Sequence, residues 1–360
     1  MSSSAKTMLA AIYMDGNIEV KETPLPRPDR EEALLKVETA ALCATDIKIW
    51  QRGHRNIAPG TETILGHEVV GQIVEAGDRV DQTIVGTRVV IPPNVGCGIC
   101  PACQAGWDSY CPDYKAYGIG LNGSLAEYML LSSSSISRGN LVTIPDHVPT
   151  RIAALAEPTS CCYRGLQECE LKAGETVMIT GTGPMGILSI ITARAMGAST
   201  IIAVDPVAER REKSKAFQAD YALDPGAGSF NEELLDITGG WGVDVVMVTA
   251  PFAKAQLQGI KAAAIGGRIN LFAGLAGDDT FTGFPANLVH YRGLKVIGTT
   301  GTTPREMRMV TNLMAGNRLE QLKDVVTAVF PLSDIQKAFE EARRGSGLKV
   351  LIVPNERAKV

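Results

Sequence analysis

The sequence of 360 residues has no uninterrupted run of about 18 apolar residues, the length that a membrane-spanning helix needs. Its first residues, MSSSAKTMLAAIYMDG, lack the charged head and long apolar segment of a secretory signal peptide. It also lacks a basic excess, with a net charge of −4 and a pI near 5.7. Nucleic acids and anionic membranes require a basic face. We therefore expect a cytoplasmic protein with neither kind of partner, in a compartment where thiols stay reduced.

Histidine is scarce, with four residues, whereas cysteine is not, with eight. In a reducing compartment, eight cysteines are metal ligands or buried thiols before they are disulfides. Four thiolates close a tetrahedral shell around zinc and leave no position for substrate, so a cluster of four predicts a structural zinc. An iron–sulfur cluster and a disulfide-bonded lobe are the alternatives. The segment CGICPACQAGWDSYC contains such a cluster: Cys97, Cys100, Cys103 and Cys111.

The length predicts about two domains, at roughly 150 residues each. Up to about residue 150 the chain has short apolar or alternating runs, such as ALLKVETAALC and VVGQIVEAG, separated by Gly, Pro and Asp. These runs are typical of β-strands. From about residue 160, apolar strands alternate with helical segments, which predicts a parallel sheet covered on both faces. The fold class is therefore α/β.

A glycine-rich loop follows the predicted strand TVMIT and opens a helix, as the dinucleotide-binding fingerprint GxGxxG requires. The first glycine makes the tight turn, the second lets the backbone approach a pyrophosphate, and the third allows close packing of helix and strand. The alternative is a glycine turn with no ligand. The predicted cofactor loop contains Gly181, Gly183, Pro184, Met185 and Gly186.

Asp205 closes the next predicted strand, nineteen residues after the third glycine of this loop. An acid there can accept hydrogen bonds from the ribose hydroxyls and repels a 2′-phosphate, which favours NAD over NADP. Arg210 and Arg211 follow soon after and weaken this preference. The alternative is a solvated acid.

Five motifs occur in the order found in zinc-dependent medium-chain dehydrogenases: CATD, GHEVVGQIVEAG, the four-cysteine lobe, AEPTSCC and GTGPMG. The combination of GHE with AEP resembles the sorbitol (polyol) dehydrogenase branch. The resemblance covers nearly the whole chain and implies a GroES-like β-rich catalytic domain beside a Rossmann domain. It implies a catalytic domain over residues 1–156 with the zinc lobe at about 95–113, a Rossmann NAD-binding domain over 157–298, and a segment, 299–360, that completes the catalytic domain.

The resemblance also implies roles for individual residues. The catalytic zinc would be held by Cys43, by His67 and, directly or through water, by Glu157. Glu68 corresponds to an acid that approaches the zinc in some states, and Asp46 to the carboxylate that orients the histidine ring. The resemblance gives a role to two further residues. Thr45 would pass the substrate proton towards solvent, and Lys349 would lie near the cofactor pyrophosphate.

The implied reaction is oxidation of a polyol or secondary alcohol, with or without a phosphate group, to a ketone by hydride transfer to NAD. Zinc lowers the pKa of a hydroxyl that it binds, which favours loss of hydride. Two zinc ions per chain and a homo-oligomer, a dimer or tetramer, are implied as well. The alternatives are a threonine dehydrogenase-like enzyme and a non-catalytic nucleotide-binding protein on the same scaffold.

Two departures from the polyol enzymes bear on the substrate. Where those enzymes carry a substrate-binding Arg, this sequence has Thr299 and Thr300, and Lys48 occupies a relay position often held by His. The basic stretch after Lys48 is either a solvated loop or a site for an anionic or phosphorylated polyol.

Three other cysteines are expected to be packing thiols, and two histidines have no assigned role. The basic stretch contains Arg52, His54 and Arg55, the packing thiols are Cys161, Cys162 and Cys169, and the two histidines are His147 and His290.

Overall fold

The computed structural model describes residues 6–275 and 283–355. The chain divides into two compact units. The first unit combines Met1–Ser160 with Gly301–Val360, so it is built from two separate parts of the chain. The second unit is the stretch between them, Cys161–Thr300. No helix in the described part of the chain is long and apolar enough to cross a membrane.

The strands of the described residues follow the predicted change of pattern, because short alternating strands precede residue 150 and buried parallel strands follow it. The strands are β1 (Thr7–Met14), β2 (Asn17–Pro24), β3 (Ala33–Ala41), β4 (Thr63–Ile64), β5 (Glu68–Ala76), β6 (Arg88–Val90), β7 (Asn94–Val95), β8 (Lys115–Tyr117), β9 (Gly120–Leu121), β10 (Tyr128–Leu131), β11 (Val142–Thr143), β12 (Thr176–Thr180), β13 (Thr200–Val204), β14 (Tyr221–Leu223), β15 (Val243–Val248), β16 (Ala263–Leu271), β17 (Lys295–Gly298), β18 (Val326–Pro331) and β19 (Lys349–Val353).

In the second unit the helices alternate with the strands, as the sequence pattern predicts. The helices are α1 (Ala44–Arg52), α2 (Pro101–Gln104), α3 (Ser133–Ser137), α4 (Thr150–Ala153), α5 (Ala156–Glu168), α6 (Pro184–Ala195), α7 (Ala208–Ala216), α8 (Phe230–Ile237), α9 (Ala253–Ala262), α10 (Ala286–Arg292), α11 (Pro304–Ala315), α12 (Leu322–Val325) and α13 (Ile335–Arg344).

The main sheet of the first unit joins both parts of the chain. Its strand order is β11-β6-β5-β3-β19-β18, and β10 also pairs with β3. β19 pairs antiparallel with β3 at Leu351↔Ala41 and Ile352↔Ala40. The strand from the second part of the chain therefore lies beside the strand that leads into α1, where the first metal-ligand candidate lies.

An aromatic pair and an apolar cluster hold α1 in place. The rings of Trp50 on α1 and Phe339 on α13 meet edge to face, with centroids 5.7 Å apart. Ile49 and Phe339 are fully buried in the same cluster, together with Ile352 of β19. Edge-to-face contacts add to the free energy gained by burial. The start of α1 is therefore fixed against the sheet.

The sheet of the second unit has the order β14-β13-β12-β15-β16-β17, and all of its pairs are parallel. Its central strands β12 and β15 are apolar and almost entirely buried, as expected where helices cover both faces. The predicted α/β architecture, with a parallel-sheet domain and a β-rich domain, is confirmed.

Candidate active site and metal centres

Cys43 lies at the N-cap of α1, directly after β3, in an extended backbone conformation. The side chain of Asp46, three residues on, accepts the backbone N–H of Cys43 at 2.9 Å through Oδ2. Its other oxygen, Oδ1, accepts the N–H of Gly66 at 3.1 Å. Asp46 is fully buried. One carboxylate therefore ties the start of α1 to the turn that precedes His67.

His67 follows a glycine turn whose geometry leaves no room for a side chain. Gly66 has φ +92°, and a Cβ there would lie 2.8 Å from side-chain atoms of both Leu125 and Ser124. Only glycine adopts this backbone without strain. The turn brings His67 Nδ1 to 3.6 Å from Asp46 Oδ1, a charge contact longer than a hydrogen bond. The buried imidazole thus faces the carboxylate that was predicted to orient it.

The structure brings Cys43, His67 and Glu68 together, with their ligand atoms all within 4.8 Å of one another. Thiolate, imidazole and carboxylate are all zinc ligands, with bonds of about 2.0–2.3 Å, so ligands of one tetrahedral ion lie about 4 Å apart. The donor set and its spacing fit zinc. In the described part of the chain, Glu157 does not belong to this group of three.

The charges of this cluster reinforce one another. Burial alone raises the pKa of the Cys43 thiol, but the charged His67 and Lys349 outweigh it and lower that pKa to about 7. Burial likewise opposes the charged form of His67, yet Asp46 and Cys43 hold its pKa well above the usual range. The pKa of Asp46 is lowered in spite of burial, chiefly by the charge of His67. The pocket therefore favours a thiolate, the form of cysteine that binds metal.

Lys349 is a buried cation that contacts the Glu68 member of this cluster. Its Nζ donates to Glu68 Oε2 at 2.6 Å and to the carbonyl oxygen of Leu42 at 3.3 Å. Both Lys349 and Glu68 are buried. Burial would lower the pKa of Lys349, but the Glu68 carboxylate outweighs it and raises that pKa. The contact that the structure shows for Lys349 is with Glu68, and its predicted contact with a cofactor pyrophosphate stays a prediction.

Glu157 lies in the first turn of α5 and is 8% exposed. After the larger contributions of Glu68 and Cys43, its charge adds to the raised pKa of Lys349. Its carbonyl oxygen accepts the Ser160 hydroxyl at 2.7 Å, within the same helix. A carboxylate at this position can complete a metal shell through water, so its role as third ligand stays a prediction.

The four-cysteine lobe has the predicted arrangement, with all four sulfur atoms within 4.8 Å of one another. Backbone N–H groups point at two of them, from Cys97 to the Sγ of Cys111 at 3.3 Å and from Cys103 to the Sγ of Cys100 at 3.5 Å. Such donors stabilise thiolates. Four sulfur ligands fill a tetrahedral zinc shell, so this group fits a structural ion.

A buried ion pair anchors the lobe to the rest of the first unit. Asp108, inside the lobe, accepts the Nε of Arg138 at 2.9 Å, and Arg138 Nη2 also contacts the same carboxylate oxygen. Both side chains are largely buried. This pair was not predicted from the sequence, because thirty residues separate the partners and neither belongs to a recognisable motif.

The glycine-rich loop in the second unit has a separate geometric reason for each glycine. Gly181 has φ +88°, which allows the tight turn. A Cβ at Gly186 would lie 1.9 Å from the carbonyl oxygen of Gly181, so only glycine permits this packing. A Cβ at Gly183 would meet nothing within 4 Å. The space over Gly183, at the N-cap of α6, is therefore open for a ligand, as a pyrophosphate requires.

The carboxylate of Asp205 is held by three donors of the protein and is 2% exposed. Oδ2 accepts the N–H of Thr182 at 2.8 Å and its hydroxyl at 3.1 Å, while Oδ1 accepts the N–H of Val207 at 2.9 Å. A carboxylate has about four acceptor positions, so about one remains for a ligand. Asp205 therefore presents a fixed negative charge that cannot rotate away.

The glycine-rich loop lines a pocket of ≈ 700 Å³ within the second unit. Its lining includes Gly183, Asp205 and two cations, Arg210 and Lys254. The volume lies within the range typical of small-molecule and cofactor sites. The loop, the acid and the pocket together fit a dinucleotide. Pro184, Met185 and Gly186 line the same pocket.

The two threonines that stand where polyol enzymes carry an arginine are hydrogen-bonded within the second unit. The Thr299 hydroxyl donates to Asn270 Oδ1 at 3.0 Å and is buried, while the carbonyl oxygen of Thr300 accepts Arg164 at 3.1 Å. Neither threonine replaces the missing arginine.

Cys162 and Cys169 are fully buried and Cys161 is half-buried, in keeping with packing. The ring of His290 packs on Tyr291, and His147 Nε2 lies 3.1 Å from the carbonyl oxygen of Ala315.

Comparison with known proteins agrees with this architecture. Two family models match, the alcohol dehydrogenase GroES-like domain over residues 29–146 and the zinc-binding dehydrogenase over residues 184–316. The chain is 32% identical to an L-threonine 3-dehydrogenase of Pyrococcus horikoshii, over 93% of this chain and 94% of that protein. It is 29% identical to a sorbitol dehydrogenase of Halalkalibacterium halodurans, over 97% and 99%. The structure of an alcohol dehydrogenase from Thermus sp. ATN1 superposes with a TM-score of 0.87 at 28% identity, over 96% and 99%.

Proposed function

Because the chain belongs to the zinc-dependent medium-chain dehydrogenase family, whose members act on CH–OH groups with NAD(P), we propose a specific reaction for it. It oxidises a secondary hydroxyl of a polyol, or of a related secondary alcohol, to a ketone. The single observation that carries this proposal is the group formed by the half-buried Cys43 and the buried His67 and Glu68. A protein that only bound nucleotide would need no such group.

The roles proposed for Cys43, His67 and Asp46 follow from their contacts, and those of Thr45 and Glu157 follow from the family resemblance. Cys43 and His67 hold the metal, and Asp46 fixes both through the N–H of Cys43 and the imidazole of His67. A zinc ion bound there would supply a Lewis acid that lowers the pKa of a substrate hydroxyl. Thr45, two residues after Cys43, passes the proton from that hydroxyl to solvent through its Oγ1. Glu157 completes the metal shell directly or through water.

The carboxylate members of this site favour a substrate with two oxygen donors. A carboxylate is a harder ligand than a thiolate and prefers ions that also bind oxygen. A metal held by one sulfur, one nitrogen and one oxygen ligand suits a polyol that presents neighbouring hydroxyl groups. Polyol phosphates belong to the same proposal, because the geometry of this site does not separate the two.

The second candidate is an L-threonine dehydrogenase, favoured by the relative at 32% identity. Threonine also has a secondary hydroxyl next to a second donor, its amino group, so the same metal site suits both substrates. The two candidates differ in charge, because an amino acid requires groups for a carboxylate and an ammonium.

We further propose two zinc ions per chain and a preference for NAD. The first rests on the two groups of candidate ligands, and the second on the fixed charge of Asp205, which disfavours a 2′-phosphate. The cations Arg210 and Lys254 in the same pocket oppose this preference. A charge held by three donors at the ribose position outweighs two flexible side chains.

The test is a substrate screen with the zinc-loaded protein. Polyols, polyol phosphates and L-threonine are each offered with NAD and with NADP, and reduction of the cofactor is followed by the absorbance of the reduced nicotinamide. Turnover of a polyol with NAD supports the proposal. Turnover of L-threonine alone would select the second candidate, and the absence of turnover with every alcohol would overturn both.

A further inference from the structure

Besides the cofactor pocket of the second unit, the first unit has a pocket of its own. It lies at the C-terminal end of α1, whereas Cys43 lies at the N-terminal end. It has a volume of ≈ 820 Å³ and is formed by the turn between β1 and β2 and by the chain that follows α1. Its lining includes two aromatic side chains, Tyr13 and Trp50. Three basic residues of the stretch noted in the sequence line it as well: Arg52, His54 and Arg55.

The two arginines of this pocket are uncompensated. Within residues 6–275 and 283–355, neither Arg52 nor Arg55 has an ion pair or a side-chain hydrogen bond, whereas Arg88 and Arg138 are paired with carboxylates. The acid that lines the pocket is Asp15, and both of its oxygens accept the N–H of Gly60, at 3.0 and 3.1 Å. The pocket therefore carries a net positive charge.

His54 adds a donor to the same pocket. Its Nδ1 accepts the backbone N–H of Asn56 at 3.2 Å, so in the neutral ring the proton is on Nε2. Burial and the charge of Arg55 lower the pKa of His54, which keeps the ring neutral at pH 7. The side chain thus offers one N–H donor without a further charge.

The pocket is separate from the metal cluster. α1 runs nine residues from Ala44 to Arg52, so with a rise of about 1.5 Å per residue its two ends are about 13 Å apart. The basic stretch therefore lies at the opposite end of α1 from the candidate metal ligands.

We propose that this pocket binds a phosphate monoester at a site distinct from the substrate site. Two guanidinium groups can each form paired hydrogen bonds with phosphate oxygens, and the His54 Nε2–H supplies a further donor. The C-terminus of α1 carries partial negative charge, which stabilises Arg52 and repels an anion. The charge-assisted hydrogen bonds of two arginines outweigh this partial charge. The proposal does not depend on the reaction at the metal.

The test measures binding of phenyl phosphate to the zinc-loaded, full-length protein by calorimetry at low ionic strength. The titration is run with saturating NAD, so that the glycine-rich loop of the second unit is occupied, and is repeated without NAD. We expect Arg52→Ala and Arg55→Ala each to weaken binding about tenfold or more, because each removes charge-assisted hydrogen bonds. Both residues are exposed, so the variants should fold normally.

The matched control is Arg308→Ala, which removes an exposed arginine of the same unit that does not line the pocket. It should leave the dissociation constant within about twofold, apart from the change in net charge. Phenyl phosphate binding that is equal in all four proteins, or that disappears when NAD is added, would overturn the proposal. Absence of binding at millimolar ligand would do the same. None of these results bears on turnover of an alcohol.

Discussion

The ammonium of Lys349 and the carboxylate of Glu68 form a buried pair at 2.6 Å, beside Cys43 and His67. Both side chains are removed from water, so each depends on the other for compensation of its charge. The pair also gives Glu68 a fixed position within reach of the metal ligands. The cluster therefore combines three candidate ligands with a cation that holds one of them.

Replacing Lys349 with Met should destabilise the protein by about 3–5 kcal/mol, because Glu68 would remain buried without its partner and its pKa, already raised by burial, would rise further. The free energy of unfolding, measured by urea titration, checks this. The double variant with Glu68→Gln as well should recover most of the loss, because no charge then remains. Equal stability of Lys349→Met and the parent would show that the pair contributes nothing.

Cys100→Ser should lower thermal stability or disrupt subunit assembly, because one ligand of a closed zinc shell is lost. Zinc content should fall by one ion per chain, while the kcat of any folded protein stays close to that of the parent. Cys169→Ala is the control, since it removes a buried thiol outside the lobe and should keep both ions. A variant as stable as the parent that has lost turnover would contradict a structural role.

Asp205→Ser should increase the affinity for NADP relative to NAD, because the fixed charge that repels a 2′-phosphate is removed. Dissociation constants for both cofactors, measured by fluorescence titration, give this ratio. Asp236→Ser removes an exposed acid of the same unit and should leave the ratio unchanged. A parent protein that already prefers NADP would show that Arg210 and Lys254 dominate the pocket instead.

Cys43→Ser and His67→Ala should each abolish turnover and lose one zinc ion per chain while NAD still binds. The nucleotide loop belongs to the other unit, so its affinity should not change. Glu157→Ala should retain more zinc but slow turnover by orders of magnitude, since bound metal contributes several kcal/mol to the reaction. Metal analysis paired with NAD titration checks all three. Full activity and two zinc ions in Cys43→Ser would refute the catalytic assignment.

The resemblance to medium-chain dehydrogenases predicts a dimer or tetramer in solution. Light scattering coupled to gel filtration should therefore give a mass of two or four times 38.3 kDa. A mass near 38.3 kDa at micromolar concentration would exclude this prediction.

Local spacing in the sequence was enough to predict the cysteine lobe and the glycine-rich loop. The lobe spans Cys97 to Cys111, so its four sulfur atoms cannot be far apart once the chain turns. In the loop, the positions of Gly181 and Gly186 correspond directly to a tight turn and a close contact. Such features depend on neighbours in the chain, and their geometry is encoded in residue type and spacing.

The Lys349–Glu68 pair could not be predicted in this way, because 281 residues separate its members. Their contact depends on where β19 pairs with β3, and neither strand's apolar pattern specifies that register. The net positive charge of the pocket around Arg52 could not be predicted either. The sequence contains the arginines but does not show whether they form ion pairs. Long-range pairing and packing determine both features.

The position of β19 between β3 and β18 has a consequence for synthesis of the protein. A ribosome adds roughly 5–20 residues per second, so about 15–60 s pass between emergence of Glu68 and emergence of Lys349. During that interval the second unit, Cys161–Thr300, can fold completely, whereas β3 has no β19 to pair with. The nascent first unit therefore keeps an open sheet edge at β3 until β19 emerges, and unpaired strand edges are prone to aggregation.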